Sequence, residues 1–358
     1  MSRVGEPVKQ ECQGSITERE AVEVDAPCLD TDRGGFARRH VRKTSRCDEG
    51  HGLRPFTSEV LHLYRLIAMG DSLASNGGAA FSVTFHGVRG STPCHGNDIT
   101  RYGGNTSCVS VLSPGSQPIL FDLGTGLRYF GRECLTRDTR FVGTCLLTHS
   151  HFDHTQGLPF FAPLLNPDTV FTVHGPRQED GMSVKAMFDK LVSPPLFPVG
   201  LDRIPGTIDF IDTDEGDFFV DRVNVRARLI PHVGPTLGYR LDFAGRSIAY
   251  LPDHQQPKDG SNGISDAARE LVDGVDLLIH DSQYTPEEFA RKADWGHCTA
   301  EYAVWVATTH GVKNLALFHH DPSRSDDALD ARLSCLRGVG AAAGCHVFAA
   351  SEGQTVLV

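Results

Sequence analysis

The sequence has no long apolar run, no C-x-x-C pair of cysteines and no excess of basic residues. None of its 358 residues belongs to an uninterrupted apolar stretch of about 18, the length that suggests a membrane-spanning helix. The first residues lack a basic start followed by an apolar segment, and the ten cysteines lie far apart. These absences predict a cytoplasmic protein with reduced thiols and no membrane partner.

Acidic residues outnumber basic ones, and the excess is confined to one part of the chain. Residues 1–70 contain 11 Lys and Arg against 11 Asp and Glu, so the net charge of −11 belongs to residues 71–358, with 23 against 34. An acidic body does not favour nonspecific binding of nucleic acid, because its phosphates attract Lys and Arg.

Residues 1–78 differ in composition from the rest of the chain. Residues 1 to about 54 contain few large apolar side chains in any period and cannot bury enough surface to offset the entropy of ordering. Since "GDSLASNGGAA" is typical of a linker, we expect residues 1–78 to be a low-order extension and linker. The apolar spacing in "SEVLHLYRLIA" predicts one short helix at residues 58–68. Four residues have zinc-ligand chemistry, but their spacing fits no compact zinc finger: Cys12, Cys28, Cys47 and His51.

Residues 79–358 consist of short β-rich runs separated by Gly, Pro and Asp. Early runs follow one another directly, whereas later runs alternate with the helical patterns "SDAARELVDG" and "TAEYAVWVATTHG". Strands that first form hairpins and then alternate with helices are typical of two packed sheets with helices outside. We therefore expect one α/β domain over residues 79–358.

Four apolar runs of this domain end in side chains that bind metals. The runs and their terminal residues are "CLLTH" with His149, "SIAYLPD" with Asp253, "VDLLIHD" with His280 and Asp281, and "LALFHH" with His319 and His320. Because a sheet fixes the ends of its strands, side chains at several strand ends can converge on one place.

The densest group of metal-ligand types lies in "THSHFDH". His149 and His151 are two residues apart, and a turn after a strand can bring both to one metal; Asp153 and His154, on the next bend, suit a second. Nitrogen and carboxylate oxygen together favour Zn²⁺, Mn²⁺ or Fe²⁺ over Mg²⁺ or Ca²⁺. The alternative is a solvated polar loop, which explains one histidine more easily than four ligand types in six positions.

The chain resembles the metallo-β-lactamase fold hydrolases, whose hallmark is His-x-His-x-Asp-His after a strand. The resemblance covers about residues 81–358 and extends, in the order of that family, to "VRGSTP", "FDLGTGLR", "HVGPTLGYRL", "AYLPD", "LIHDSQYTPEEF", "WGHCTAEYAV" and "LFHHDPSRSDD". These blocks are most similar to the phosphodiesterase branch, which includes tRNA 3′-end processing nucleases and cyclic-nucleotide phosphodiesterases. The resemblance implies an αββα sandwich and a metal-dependent hydrolase.

The resemblance also implies seven metal ligands. They are His149, His151 and His232 for one metal, Asp153, His154 and His319 for the other, and Asp253 as a bridge between the two. We choose His319 over His320 because the branch places its histidine directly after the strand, and neighbouring residues point to opposite faces. Two divalent ions are expected, with Zn²⁺ first and Mn²⁺ or Fe²⁺ accepted by the same ligands.

Asp153 and His297 are the expected catalytic residues. His297 matches a histidine that the nuclease branch keeps beside the metals, where it would protonate the leaving alkoxide or stabilise the transition state. The structural alternative for His297 is a neighbour of the helix cap near Thr299. His280 and Asp281 either orient the ligands from behind or are ordinary buried polar residues.

The interval between His232 and Asp253 bears on the substrate. In the tRNA-processing nucleases of this family a long flexible arm is inserted there, whereas here the two residues are 21 positions apart, enough for one hairpin. Together with the acidic body, this predicts a small phosphodiester, with a cyclic nucleotide as the leading candidate, and not tRNA. The expected reaction is attack by a metal-bridging hydroxide with His297 as general acid.

Three alternatives to this activity stay open on the sequence alone. One is a nuclease of the tRNase Z type, and another is a hydrolase of the same fold that acts on a lactone or thioester. The third is a metal-binding sensor without catalysis. Relatives of this kind are often homodimers, so a homodimer is also considered.

Overall fold

A computed structural model describes residues 80–136 and 140–358 of the chain. The predicted extension, its helix at residues 58–68 and the four candidate zinc ligands near the N-terminus therefore lie outside the described residues. The domain boundary at residue 78 stays a prediction. Within the described ranges, no helix combines the length and the apolar character needed to cross a bilayer.

Two seven-stranded sheets form the centre of the described domain. In pairing order, the first contains β14 (Thr355–Leu357), β1 (Ser82–Gly87), β2 (Cys108–Leu112), β3 (Ile119–Phe121), β4 (Val142–Leu146), β5 (Val170–Gly175) and β6 (Thr207–Asp212). The second contains β13 (His346–Ala349), β12 (Asn314–Phe318), β11 (Leu277–Asp281), β10 (Arg246–Leu251), β9 (Leu237–Phe243), β8 (Val223–Leu229) and β7 (Gly216–Val220). Each sheet is antiparallel in one half and parallel in the other.

Helices follow or connect these strands. They are α1 (Leu127–Leu135), α2 (Phe152–Thr155), α3 (Val184–Leu191), α4 (Asp266–Val272), α5 (Pro286–Lys292), α6 (Ala300–Thr309) and α7 (Asp326–Ala342). The two helices that the sequence predicts are α4 and α6. Ser265 caps the first and Thr299 the second, and each side chain accepts a hydrogen bond from a first-turn backbone amide.

Three apolar clusters join the layers. The first lies between the sheets, where the rings of Phe121 and Tyr250 stack at 4.4 Å. The second packs α4, α6 and α7 against the second sheet, and the third packs α1 and α3 against the first sheet. The order of layers is helices, sheet, sheet, helices, so the prediction of an αββα sandwich is confirmed.

The sequence pattern does not predict β6 and β7, each of which is one of the two edge strands of its sheet. Within the described chain, β6 pairs only with β5 and β7 only with β8. Exposed residues alternate with partly buried ones along β6, and Asp209 and Asp217 place charges on these strands. An edge strand that buries little apolar surface gives a weak signal in the sequence.

Candidate metal centre

The structure brings all seven predicted ligands to one end of the two sheets. His149 follows β4, and His151 is the N-cap of α2, which contains Asp153 and His154. The other three are His232 between β8 and β9, Asp253 two residues after β10, and His319 directly after β12. Because the sheets fix these strand ends, residues that are far apart in the sequence become neighbours.

His149, His151 and His232 form what we call the three-histidine group. His151 Nδ1 lies 2.8 Å from His149 Nε2 and 3.3 Å from His232 Nε2. The other ring nitrogen of His232, Nδ1, is 2.6 Å from the carbonyl oxygen of Gly296. Since a carbonyl can only accept a hydrogen bond, neutral His232 carries its proton on Nδ1 and directs the Nε2 lone pair toward the other two histidines.

Asp153, His154 and His319 form a second set, the buried group. His319 Nε2 lies 3.1 Å from Asp153 Oδ2 and 3.3 Å from His154 Nε2. Asp253 lies between the two groups, since its carboxylate oxygens are 3.0 Å from His154 Nε2, 3.4 Å from His319 Nε2 and 3.9 Å from His232 Nε2. The arrangement is that of two ligand sets that share one carboxylate.

The hydrogen bonds of the buried group direct the Nε2 atoms of His154 and His319 toward each other. His154 Nδ1 is 2.8 Å from Asp122 Oδ2, and His319 Nδ1 is 2.8 Å from Gln283 Oε1. Both partners are acceptors, so in the neutral rings the protons lie on Nδ1 and the two Nε2 lone pairs face each other. Asp253 Oδ2 is also buried without a hydrogen-bond partner. A donor set of this kind fits a divalent cation.

The electrostatics of the two groups differ. Burial lowers the pKa of His149 well below its ordinary value and that of His232 to about 4, so these rings are neutral. Burial also acts to lower the pKa of His154, but the carboxylates of Asp153 and Asp253 outweigh it and raise the pKa well above its ordinary value. The carboxylates thus favour a positive charge at the buried group, which a metal ion would supply in place of a proton.

Asp122, directly after β3, is a residue of the site that the sequence analysis misses. Its buried carboxylate accepts hydrogen bonds from the Thr148 amide at 2.8 Å, from His154 Nδ1 at 2.8 Å and from the Tyr250 hydroxyl at 2.8 Å. It therefore connects β4, the buried group and the second sheet. The signal is present in "PILFDLG", an apolar run that ends in a potential metal-ligand side chain, as the four runs described above do.

His297 lies beside both groups, and Asp281 orients it. His297 Nδ1 is 2.9 Å from Asp281 Oδ2 and 3.4 Å from Asp253 Oδ1. Asp281 also accepts a hydrogen bond from the Gln283 amide, at 2.9 Å, which fixes the carboxylate. Burial acts to lower the pKa of His297, but Asp281 and then Asp253 raise it above the ordinary value. An imidazolium in this place can donate a proton.

His320 and His280 are turned away from the ligand groups. His320 Nε2 lies 3.0 Å from the carbonyl oxygen of Ala350, and His280 Nε2 lies 2.9 Å from His254 Nδ1. His319 itself has a φ of 56°, in the left-handed region that few residues other than glycine adopt. This backbone turn separates the directions of two histidines that are adjacent in the sequence.

Two glycines make room for the ligand rings. A Cβ atom on Gly90 would lie 2.3 Å from the His319 ring, and one on Gly296 would lie 2.4 Å from His232 Nδ1. Gly296 also has a φ of 91°, which disfavours other residues. Next to Gly90, the Ser91 amide donates to Asp153 Oδ2 at 2.7 Å. These contacts give the motifs "VRGSTP" and "WGHCT" a physical role.

Sequence comparison finds relatives over most of the described domain. Residues 118–320, more than half of the chain, match the beta-lactamase superfamily domain. Ribonuclease Z of Natronomonas pharaonis is 25% identical over 323 residues, which cover 76% of this chain and 96% of that protein. Ribonuclease Z of Salinispora arenicola is 27% identical over 259 residues, which cover 62% of this chain and 83% of that protein.

Solved structures with the same fold belong to several proteins. The metallo-beta-lactamase fold protein YhfI of Bacillus subtilis has a TM-score of 0.57 at 17% identity, with coverage of 78% of this chain and 99% of YhfI. A diphosphatase of the PhnP family has a TM-score of 0.56 at 17% identity, with coverage of 78% and 98%. Human tRNase Z, short form, has a TM-score of 0.51 at 21% identity, with coverage of 77% and 98%.

Proposed function

Because this chain belongs to the metallo-β-lactamase fold hydrolase superfamily, we propose that it is a two-metal phosphodiesterase of small phosphodiesters, with a cyclic nucleotide as first candidate. The superfamily match and the ribonuclease Z relatives support a metal-dependent hydrolase of nuclease or phosphodiesterase type. The observation that carries the finer proposal is the pair of ligand groups that share Asp253, with His297 beside both.

In this proposal the three-histidine group would hold one divalent ion, the buried group would hold a second, and Asp253 would be a ligand common to both. When bound, such ions polarise phosphoryl oxygens and lower the pKa of water. Zn²⁺ suits the predominance of imidazole ligands, and Mn²⁺ or Fe²⁺ suit the same donors.

The protein's own residues orient these ligands and move one proton. Asp122 and Gln283 accept from the Nδ1 protons of His154 and His319, which keeps each Nε2 directed at the buried group. His297 donates its Nε2 proton to the leaving oxygen, while Asp281 on Nδ1 stabilises the charged ring before the transfer. The proposed step is therefore hydrolysis: a hydroxide oxygen forms a bond to phosphorus, the bond from phosphorus to the leaving oxygen breaks, and that oxygen takes the His297 proton to become a hydroxyl. In a cyclic nucleotide this hydroxyl stays on the ribose as the ring opens.

The segment between His232 and Asp253 supports a small substrate. It is described throughout and contains a hairpin in which β9 and β10 are joined by a two-residue turn. Ala244 and Gly245, at that turn, have φ values of 50° and 77°. Such a hairpin has no additional length with which to grip a folded RNA, and the net charge of −11 does not favour a large polyanion.

A nuclease of the ribonuclease Z type is the second candidate. It is favoured by a specific observation, the similarity to ribonuclease Z of Natronomonas pharaonis over 96% of that protein's length. The proposed ligands and the proposed acid would serve either activity, since both cleave a phosphodiester. The two candidate activities differ in the part of the substrate that binds beside the proposed metal ligands. Only a comparison of substrates can therefore distinguish them.

A substrate screen with metal-loaded protein tests the proposal. We expect turnover of bis-p-nitrophenyl phosphate and of a 3′,5′-cyclic nucleotide with Zn²⁺ or Mn²⁺, and none by Asp253→Ala. Absence of turnover with either metal would sink the phosphodiesterase proposal and favour a sensor, or a hydrolase of lactones or thioesters, which the same screen includes. Cleavage of short RNA oligomers without cleavage of cyclic nucleotides would favour the nuclease.

A further inference from the structure

Trp295 is a large aromatic residue that is exposed and yet held in place. Its side chain is 58% exposed, and its backbone amide donates to the carbonyl oxygen of Lys292 at 3.0 Å. The Lys292 ammonium lies 5.2 Å from the centre of the Trp295 ring and 4.8 Å from the centre of the Tyr284 ring. A cation between two aromatic rings attracts both, so it fixes the indole while most of it faces solvent.

The nearest carboxylate on the helix of Lys292, that of Glu288, is engaged by other groups. Glu288, one turn earlier on α5, lies where a carboxylate normally pairs with a lysine. Its carboxylate is used instead by the Arg324 guanidinium, at 2.6 Å, and by the Thr285 amide, at 2.8 Å. Lys292 is therefore free to remain over the two rings.

Tyr284 and Trp295 both lie close to His297, the proposed acid. The Tyr284 ring meets the His297 ring edge to face, with centroids 5.5 Å apart and an interplanar angle of 88°. Trp295 precedes His297 by two residues in the sequence. The ring of Trp295 is thus tied through Lys292 and Tyr284 to the residue that would protonate the leaving oxygen.

It also adjoins the three-histidine group. Gly296, the residue after Trp295, accepts the Nδ1 proton of His232 through its carbonyl oxygen. A Cβ atom on Gly296 would lie 3.2 Å from Val233 Cγ2, so the Val233 side chain borders the same glycine. Val233 is 50% exposed. Trp295 and Val233 are thus two exposed apolar residues close to Gly296, whose carbonyl oxygen supports a proposed ligand.

We propose that Trp295 stacks on the base of a nucleotide whose phosphodiester lies at the ligand groups. The inference rests on the proposed function, because nucleotides are phosphodiesters that carry a flat aromatic ring. An exposed indole offers a base a large π surface, and stacking of this kind tolerates different bases. Lys292 is a positioning residue that holds the indole, so little side-chain freedom is lost when the base binds.

Intrinsic fluorescence gives a direct test of stacking. The chain contains two tryptophans, Trp295 and Trp305, and the second is partly buried on α6 against Tyr302. We expect a nucleoside 5′-monophosphate to quench the zinc-loaded protein, and ribose 5-phosphate to leave it unchanged. The quenching should persist in Trp305→Phe and disappear in Trp295→Phe. Equal quenching by ribose 5-phosphate, or quenching that persists in Trp295→Phe, would overturn the proposal.

Kinetics separate stacking from the chemistry. The two substrates are a 3′,5′-cyclic nucleotide and the 3′,5′-cyclic phosphate of methyl β-D-ribofuranoside, in which a methoxy group replaces the base. For Trp295→Ala we expect kcat/KM for the nucleotide to fall about tenfold or more relative to the base-free substrate, mainly through KM. Trp295→Phe, which keeps a ring, should retain most of that preference.

The outcomes distinguish the two proposals. If Trp295→Ala hydrolyses both substrates with the wild-type preference, stacking on Trp295 is wrong and the phosphodiesterase stands. If the wild-type protein hydrolyses no phosphodiester, the proposed function fails, and persistent base-dependent quenching would still support a nucleotide site. If the wild type cleaves oligonucleotides only, an oligomer with one abasic position replaces the cyclic pair.

Discussion

The two ligand groups of the centre use similar side chains in different surroundings. The three-histidine group contains neutral imidazoles, and His151 within it is exposed. The buried group contains a carboxylate, has only buried members and is backed by Asp122. Negative charge and burial favour retention of a cation, whereas a neutral and accessible set releases it more easily. The two proposed metal positions, which have similar ligand types, are therefore not expected to be equivalent.

Removal of the Asp253 carboxylate should have the largest effect, because it affects both ligand groups at once. Asp253→Ala takes the shared carboxylate from both groups, so we expect loss of both metals and of phosphodiester turnover. The loss of affinity should exceed the roughly 10- to 100-fold that an outer partner of a ligand contributes. Metal content per chain and turnover of bis-p-nitrophenyl phosphate measure the two effects. Asp266→Ala on the surface of α4 is the matched control, and an active, metal-replete Asp253→Ala would show that the bridge is assigned wrongly.

His297→Ala should affect catalysis and leave both groups loaded. We expect two metals per chain and a decrease in turnover of about 10²- to 10⁴-fold for alkyl leaving groups, which need a proton. With p-nitrophenolate, which leaves without protonation, the decrease should be smaller. Asp281→Asn should give the same dependence on the leaving group to a lesser degree. Loss of metal from His297→Ala would instead make His297 a ligand.

Single-ligand variants should separate the two groups. His151→Ala should lose the metal of the three-histidine group, and His319→Ala that of the buried group, so each retains about one metal per chain. Chelator treatment of the wild type should remove metal in a fast and a slow phase, because only the three-histidine group has an exposed member, His151. His151→Ala should lack the fast phase and His319→Ala the slow one. A single phase in the wild type would contradict the difference between the groups.

The smallest effects are expected for Asp122 and Tyr250, which support the buried group without belonging to it. Asp122→Asn weakens the support of His154 and should lower metal affinity of the buried group about 10- to 100-fold. Tyr250→Phe removes one hydrogen bond to the same carboxylate, so it should cost only about 1 kcal/mol of unfolding free energy. Metal titration and thermal unfolding of the two variants provide the measurement. Equal effects on both groups in Asp122→Asn would argue against a local role.

The parts of the site that could be predicted are those encoded in short stretches. "THSHFDH" places four potential ligands within six positions after a strand, and the caps Ser265 and Thr299 mark the starts of two helices. Asp122 was missed although its run ends in the same way, because no neighbouring ligand type draws attention to it. The edge strands β6 and β7 were missed because they bury little apolar surface.

The sequence by itself determined the layers of the fold and the chemistry of the ligands, since apolar periodicity and local spacing are properties of neighbouring residues. Tertiary structure alone decided which atoms meet. The Tyr250 hydroxyl reaches Asp122 across the two sheets, 128 positions away, and a left-handed φ turns His319 rather than His320 toward the buried group. The Lys292 ammonium likewise lies over both the Trp295 and the Tyr284 ring, two residues from different segments of the chain. Such contacts depend on how distant segments pack, which no local pattern contains.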